Sequence, residues 1–224
     1  MIAVVLPDMA KLHDEIDRFR NWAPPTDRRH GEWECGYEHW TELWSAAISM
    51  IDQLADRVVS PDMAADLLYV LARDNEAEHV RDHLVQTPSV LSALAIYAIK
   101  SSDADAKWQI VVSVAESNLP DAADLIRPFL NDEDEYVRRR SLMAYARYAP
   151  EEAEKIALQN LTAAFEYTRI TALHVLDTVD SSHLASSVDA MENDPSEHVR
   201  HNARELREKR QNKAVNPSGG SGGF

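Results

Sequence analysis

The sequence predicts an all-α solenoid, a stack of helix pairs rather than a fold wrapped around one centre. Three observations carry that reading. First, the stretch Asn131 to Ala146 (NDEDEYVRRRSLMAYA) recurs in phase: a shift of 31 positions carries Val137-Arg138 onto Thr168-Arg169, and a second shift carries it onto Val199-Arg200. Second, small or apolar residues follow each arginine at matching offsets: Ser141, Ala144 and Tyr145, then Ala172, Val175 and Leu176, then Ala203 and Leu206. That spacing draws one buried face on a helix. Third, nothing between Tyr37 and Ser218 is glycine, so helix boundaries must use other punctuation. Proline supplies it, just inside the expected helix starts at Pro61, Pro88, Pro120, Pro150 and Pro195.

The elements follow in order. Met9, Leu12, Ile16 and Phe19 are three and four apart and predict an amphipathic helix over 8–22. Residues 23–36 (APPTDRRHGEWECG) break the periodicity with two prolines and two glycines, which makes them an ordered loop or a mobile segment. A long helix over 37–59 presents Trp40, Trp44, Ala47, Ile48, Ile51, Leu54 and Val58 on one side. Five outer and inner pairs follow: 61–73 with 76–85, 88–100 with 104–117, 120–130 with 135–148, 151–163 with 165–178, and 182–192 with 196–210. Joints such as Asn131-Asp132-Glu133-Asp134 and Asn193-Asp194-Pro195-Ser196 carry oxygens that can accept from the free amides of the next helix. The expected organisation is residues 1–75 as N-terminal helices and a first outer helix capping the array, 76–210 as repeats continuous with them, and 211–224 as a disordered glycine-serine tail.

Asp-x-x-x-x-Val-Arg followed by small residues resembles the HEAT-like repeats of the short class, also known from bilin lyases, best over Asp132–Ala144 and Asn193–Leu206. Pro128 inside the outer helix, in DLIRPFL, is a habit of the same family. The resemblance covers about 76–210 and implies a right-handed α-α superhelix with a concave, partner-binding surface lined by the inner helices. It also implies that the repeat arginine of each unit pairs with an aspartate at a neighbouring turn, making Arg138, Arg169 and Arg200 structural staples. Lys107 replaces arginine in the second unit, and the fourth has Phe165-Glu166-Tyr167 in place of an Asp-rich turn. Staples are least expected there.

Composition narrows the function. The chain has 23 Lys plus Arg against 38 Asp plus Glu, a formal net charge of -15, which repels nucleic-acid backbones and anionic membranes and attracts a basic partner. The single cysteine, Cys35, excludes an intrachain disulfide and fits a reducing compartment. The apolar run at residues 1–8 lacks the basic start and length of a signal peptide, and no run reaches the ~18 apolar residues of a membrane span. The expectation is a cytoplasmic protein.

Without glycine the repeat region has no phosphate-cradling loop, dinucleotide fingerprint or nucleophile elbow. His30, Cys35 and His39 invite a metal, but a structural zinc site normally pairs cysteines, so none is expected, nor any other cofactor. Two enzymatic branches of the wider HEAT-like group also fit poorly. The iron-dependent hydroxylases use His-Glu dipeptides where this chain has Glu38-His39, Glu78-His79 and Glu197-His198, and the alkylpurine glycosylases need a basic groove.

If the inner helices line the groove, the residues one and five past the repeat cation face into it: Trp108 and Val112, Arg139 and Met143, Ile170 and His174, His201 and Glu205. Gln109, Arg140, Thr171 and Asn202 flank them. Tryptophan, methionine and arginine are the anchors of protein interfaces; the competing reading packs Trp108 and Ile170 between repeats. Trp33, Trp40 and Trp44 form an aromatic cap or a secondary candidate surface. Together these predict a non-enzymatic binding protein, most concretely a bacterial immunity protein that blocks a basic toxin or enzyme. A HEAT-like enzyme or pigment lyase and a general assembly scaffold are the alternatives.

Overall fold

The computed structural model describes residues 7–23 and 36–215. Among them every regular element is helical: α1 (Pro7–Trp22), α2 (Trp40–Leu54), α3 (Pro61–Arg73), α4 (His79–Val85), α5 (Pro88–Ala98), α6 (Ala104–Glu116), α7 (Ala122–Ile126), a 3₁₀ turn (Arg127–Asn131), α8 (Glu135–Tyr145), α9 (Pro150–Asn160), α10 (Glu166–Thr178), α11 (Leu184–Met191) and α12 (Glu197–Val215). They form two compact units that divide after Ser141, within α8.

In the first unit α1, α3, α5 and α7 pack in succession, and α2, α4 and α6 do the same beside them, so odd and even helices make two layers. Nine of the thirteen residues of α6 are buried, because it meets α3, α4, α5 and α7 together. In the second unit α9 packs on α10, α11 on α12, and α10 also on α12. The repeat offsets read from the sequence are the buried ones: Ile110, Ser113 and Val114 on α6, Ser141, Ala144 and Tyr145 on α8, Ala172, Val175 and Leu176 on α10, Ala203 and Leu206 on α12. Each large apolar side chain removed from water there contributes roughly 1.5–3 kcal/mol before the entropy of ordering is subtracted.

Several boundaries differ from expectation for local reasons. Helix α2 is shorter at both ends: Gly36 has a φ of +113°, Glu38 and His39 form a turn, and Val58, expected on the buried side, is 90% exposed beyond the helix. The outer helix expected over 120–130 breaks at Arg127, because Pro128 offers no amide and its ring crowds the carbonyl four residues back, so the chain tightens into the 3₁₀ turn. Pro61, Pro88 and Pro150 open α3, α5 and α9, whereas Pro120 and Pro195 stand ahead of α7 and α12. Helix α12 runs five residues beyond 210, through helix-compatible Gln211 to Val215, into a stretch expected to be tail. The expected glycine-serine segment at 216–224 and the loop residues 24–35 lie outside the described residues.

Helix ends without glycine use Asn118 and Asp180, with φ of 53° and 49°. These residue types tolerate the left-handed conformation best after glycine. After α10 the Ser181 amide donates to the Leu176 carbonyl at 2.9 Å, closing the helix in a Schellman-type turn around Asp180. At the helix starts Asp134 Oδ1 accepts from the amides of Tyr136 (2.8 Å) and Val137 (3.1 Å), and Asp194 Oδ1 accepts from Ser196 (2.8 Å).

The repeat cations make two kinds of bond. Arg138, Arg169 and Arg200 each donate from Nη1 to a pair of carbonyls six and five residues back: Asp132 and Glu133 (2.6 and 2.9 Å), Ala163 and Ala164 (2.7 and 3.0 Å), Asp194 and Pro195 (2.6 and 3.0 Å). This ties down the joint before the helix. Two cations also reach the joint of the following pair, 25 residues on. Lys107 Nζ donates to Asp132 at 2.8 Å with both side chains buried, and Arg169 grips Asp194 with Nε and Nη2, both at 2.7 Å. These are the units whose sequence promised least, since Lys107 replaces arginine and Arg169 follows a turn without aspartate. The acceptor sits in the next joint, so the cation's own turn does not decide the pair.

Burial alone would raise the Asp194 pKa, but hydrogen bonds from Arg169 and the Ser196 amide, with the charges of Arg169 and Arg200, hold it below the usual carboxylate value. Arg169 is correspondingly raised, chiefly by its hydrogen bonds to Asp194. Arg169→Met strands a buried carboxylate and is expected to cost about 3–5 kcal/mol in urea unfolding, whereas adding Asp194→Leu to it should recover most of that loss. Because the folded pKa of Asp194 lies below its unfolded value of ~3.9, the pair's contribution is complete above that pH. It is lost as the pH falls through the folded value. Melting curves across that range should show a smaller acid-dependent loss in Asp194→Asn than in the parent.

Candidate partner-binding surface

The side chains expected to face a partner divide by burial, because the even helices turn part of that face toward their neighbours. On α6, Trp108 is buried, its Nε1 donating to Asp105 at 3.1 Å. Gln109 is fully buried and its amide donates to the Leu71 carbonyl of α3 at 2.6 Å, which ties the even layer to the odd. Val112 is half-buried. On α8, Arg139 and Arg140 are half-buried and Met143 is 44% exposed. On α10, Ile170 and His174 are half-buried and Thr171 is buried. On α12, Asn202 is half-buried and His201 and Glu205 are exposed and face each other at 3.3 Å.

Gln109 and Thr171 are therefore withdrawn from any contact surface. The reason is geometric: a residue two past the cation lies only about 40° around the helix from the buried position six past it, and α3 already covers that flank of α6. Trp108 belongs to the packing between α6 and α8, with the Tyr136 ring edge-on at 5.9 Å. In the second unit His174 and Asn202 bond each other at 2.9 Å, joining α10 to α12.

The spacing argument passed over several exposed rings. Tyr136 is 40% exposed, Tyr167 41% and Phe165 48%. Tyr136, Tyr167 and His198 share one repeat position, two residues before the cation, so the 31-residue shift that revealed the arginines also marks them. In the second unit Tyr167 stacks against His198 (6.2 Å, 22°) and packs with Phe165 at 5.4 Å. In the first, the guanidinium carbons of Arg139 and Arg140 lie 5.1 and 5.8 Å from the centre of the Tyr136 ring. A cation over an aromatic face is held in place without a counter-ion.

Of the tryptophans of α2, Trp40 is buried and Trp44 half-buried. Trp40 is buried beside Phe19 (5.2 Å) and Tyr37 (5.4 Å); Trp44 stacks on Trp40 at 5.5 Å and meets His79 of α4 at 4.2 Å. They hold α1, α2 and α4 together. Burial, then the neighbouring Glu15, raises the pKa of Tyr37 in this cluster. Trp33, His30 and Cys35 lie outside the described residues; His39 faces Glu42 at 3.6 Å. Among the described residues no three histidine, cysteine or carboxylate side chains converge as metal ligands, and no helix is long and apolar enough to cross a membrane.

Trp108→Ala should cost about 3–5 kcal/mol in urea unfolding, the range for losing a large core ring. Met143→Ala, at an exposed site, should change stability by no more than about 0.5 kcal/mol. Stability curves of the two single variants separate packing from surface directly. No protein-family model, curated protein or solved structure matches the chain.

Proposed function

We propose that this protein is a non-enzymatic, HEAT-like helical solenoid that binds another protein through its even-numbered helices. On this reading the helix pairs wind as a right-handed superhelix capped at its N-terminal end, and the protein works in the cytoplasm. Its most concrete form is an immunity or inhibitor protein that covers the working surface of a basic toxin or enzyme. The observation that carries it is the exposed aromatic repeat position. Tyr136 and Tyr167 open α8 and α10 at equivalent places and stay partly exposed, while the repeat apolar positions of those same helices are buried. Rings with a polar tip supply contact area at low entropic cost. The net charge of -15 adds attraction to a basic partner and a fast, salt-sensitive encounter.

Capture from cells of the source organism, at low and then moderate salt, tests the class of function. One dominant basic protein, weakened by salt and inactivated in the complex, is the expected result. With that partner purified, Tyr136→Ala and Tyr167→Ala should each weaken binding by roughly tenfold or more, the scale of an interface hot spot, without lowering the melting temperature. Many weak partners would favour an assembly scaffold instead. A pigment or metal in the eluate, with no protein, would overturn the binding reading in favour of an enzyme or lyase.

A further inference from the structure

In the first unit, Arg140 is a half-buried cation whose guanidinium meets rings rather than oxygens. Its central carbon lies 5.2 Å from the centre of the Trp108 ring and 5.8 Å from that of Tyr136. Its Nε is buried and has no acceptor, and no hydrogen bond or ion pair with a described residue engages the group. The cations around it are all engaged: Lys107 by Asp132, Arg138 by two backbone carbonyls, Arg139 by Glu135 at 2.8 Å. In a chain with 38 acidic residues against 23 basic ones, acceptors are plentiful, yet none is placed here. The buried Nε–H carries an unmet bond that the rings only partly offset, and the terminal nitrogens, which are not shut off from water, are the ones to which a ligand can bring an acceptor.

We infer that Arg140, clamped by Trp108 and Tyr136, anchors an aspartate or glutamate carboxylate of the bound protein, set in an otherwise basic contact segment. The planar fork of the guanidinium matches a carboxylate with two parallel hydrogen bonds, and the two rings beside it restrict the side chain before binding, so less freedom is lost. The flanks choose the context. Exposed Glu133 stands within the joint that precedes α8, and Glu135 lies one turn from Arg139; they repel a polyanion and favour basic neighbours around one acidic side chain. Tryptophan, tyrosine and arginine together are also the residue types in which binding energy concentrates.

This inference rests on the protein-binding reading, and its test needs no partner. The chain is labelled with ¹⁵N-arginine, and the Nε–H signal of Arg140 is identified by its loss in Arg140→Lys. The signal is then followed while the blocked tripeptide Lys-Glu-Lys, its Lys-Gln-Lys counterpart and inorganic phosphate are titrated in. The expected result is a saturable shift with the glutamate peptide, with binding weakened about tenfold or more in the glutamine peptide by loss of the charge-assisted bonds. Tyr136→Leu, a change at a partly exposed ring, should weaken the glutamate peptide several-fold while the melting temperature holds. No saturable shift, equal shifts with both peptides, or tighter binding of phosphate would overturn the assignment. Failure here alongside a captured, inhibited basic protein removes only the carboxylate anchor. Specific peptide binding with no protein captured keeps the anchor and overturns the proposed function.

Discussion

The repeat cations fix the joints between helices, because Arg138, Arg169 and Arg200 bond backbone carbonyls, and Lys107 and Arg169 bond carboxylates, that lie outside their own helices. A helix pair has apolar faces that attract any neighbour, and attraction of that kind does not fix rotation or slip. A guanidinium that must meet two carbonyls six and five residues back fixes the joint, and one that also grips an aspartate 25 residues on fixes the next pair. The buried pairs Lys107–Asp132 and Arg169–Asp194 add little net stability over apolar replacements, since desolvation offsets most of the attraction. Their contribution is register: any sliding of one pair against the next strands a buried charge.

That division of labour explains why glycine is dispensable between residues 37 and 218. Turns held by aspartate oxygens and arginine donors need no residue of special flexibility, and the few left-handed positions are filled by Asn118, Asp180 and Glu78. It also explains which side chains stay exposed. Buried repeat positions are committed to packing, as Gln109 shows by donating to α3, so the exposed side chains of the even helices lie at the opening turn and beyond the buried face.

The acidic character of the chain and its half-buried arginines are compatible once each arginine is traced to its acceptor. Most are neutralised within the fold and leave the long-range field negative. Among the three arginines of α8, Arg140 is the exception, set against the rings of Trp108 and Tyr136 where Arg138 and Arg139 bond oxygens of described residues. On the proposed reading, a surface that is negative at a distance and presents one cation at contact would separate the encounter from the recognition: the field would draw a basic protein in, and the local chemistry would select a particular side chain on it.

The helical class, the pairing of helices and the buried register were legible in the sequence, because a 31-residue repeat displays its packing face several times over and periodicity reports burial on a regular helix. The break at Pro128 was half legible: the proline inside the expected outer helix was plain in the sequence, and the loss of the α-helical ladder needed the local geometry. Tyr136 and Tyr167 were visible in the repeat but carried no sign of exposure, since a ring opening a helix is as often core as surface. Only the tertiary structure decided that Trp108 and Gln109 are withdrawn while Arg140 lacks an acceptor. Periodicity says which face of a helix is buried, whereas the fate of the flanking residues depends on which neighbour covers that flank, and α3 and α8 come from parts of the chain far apart in sequence.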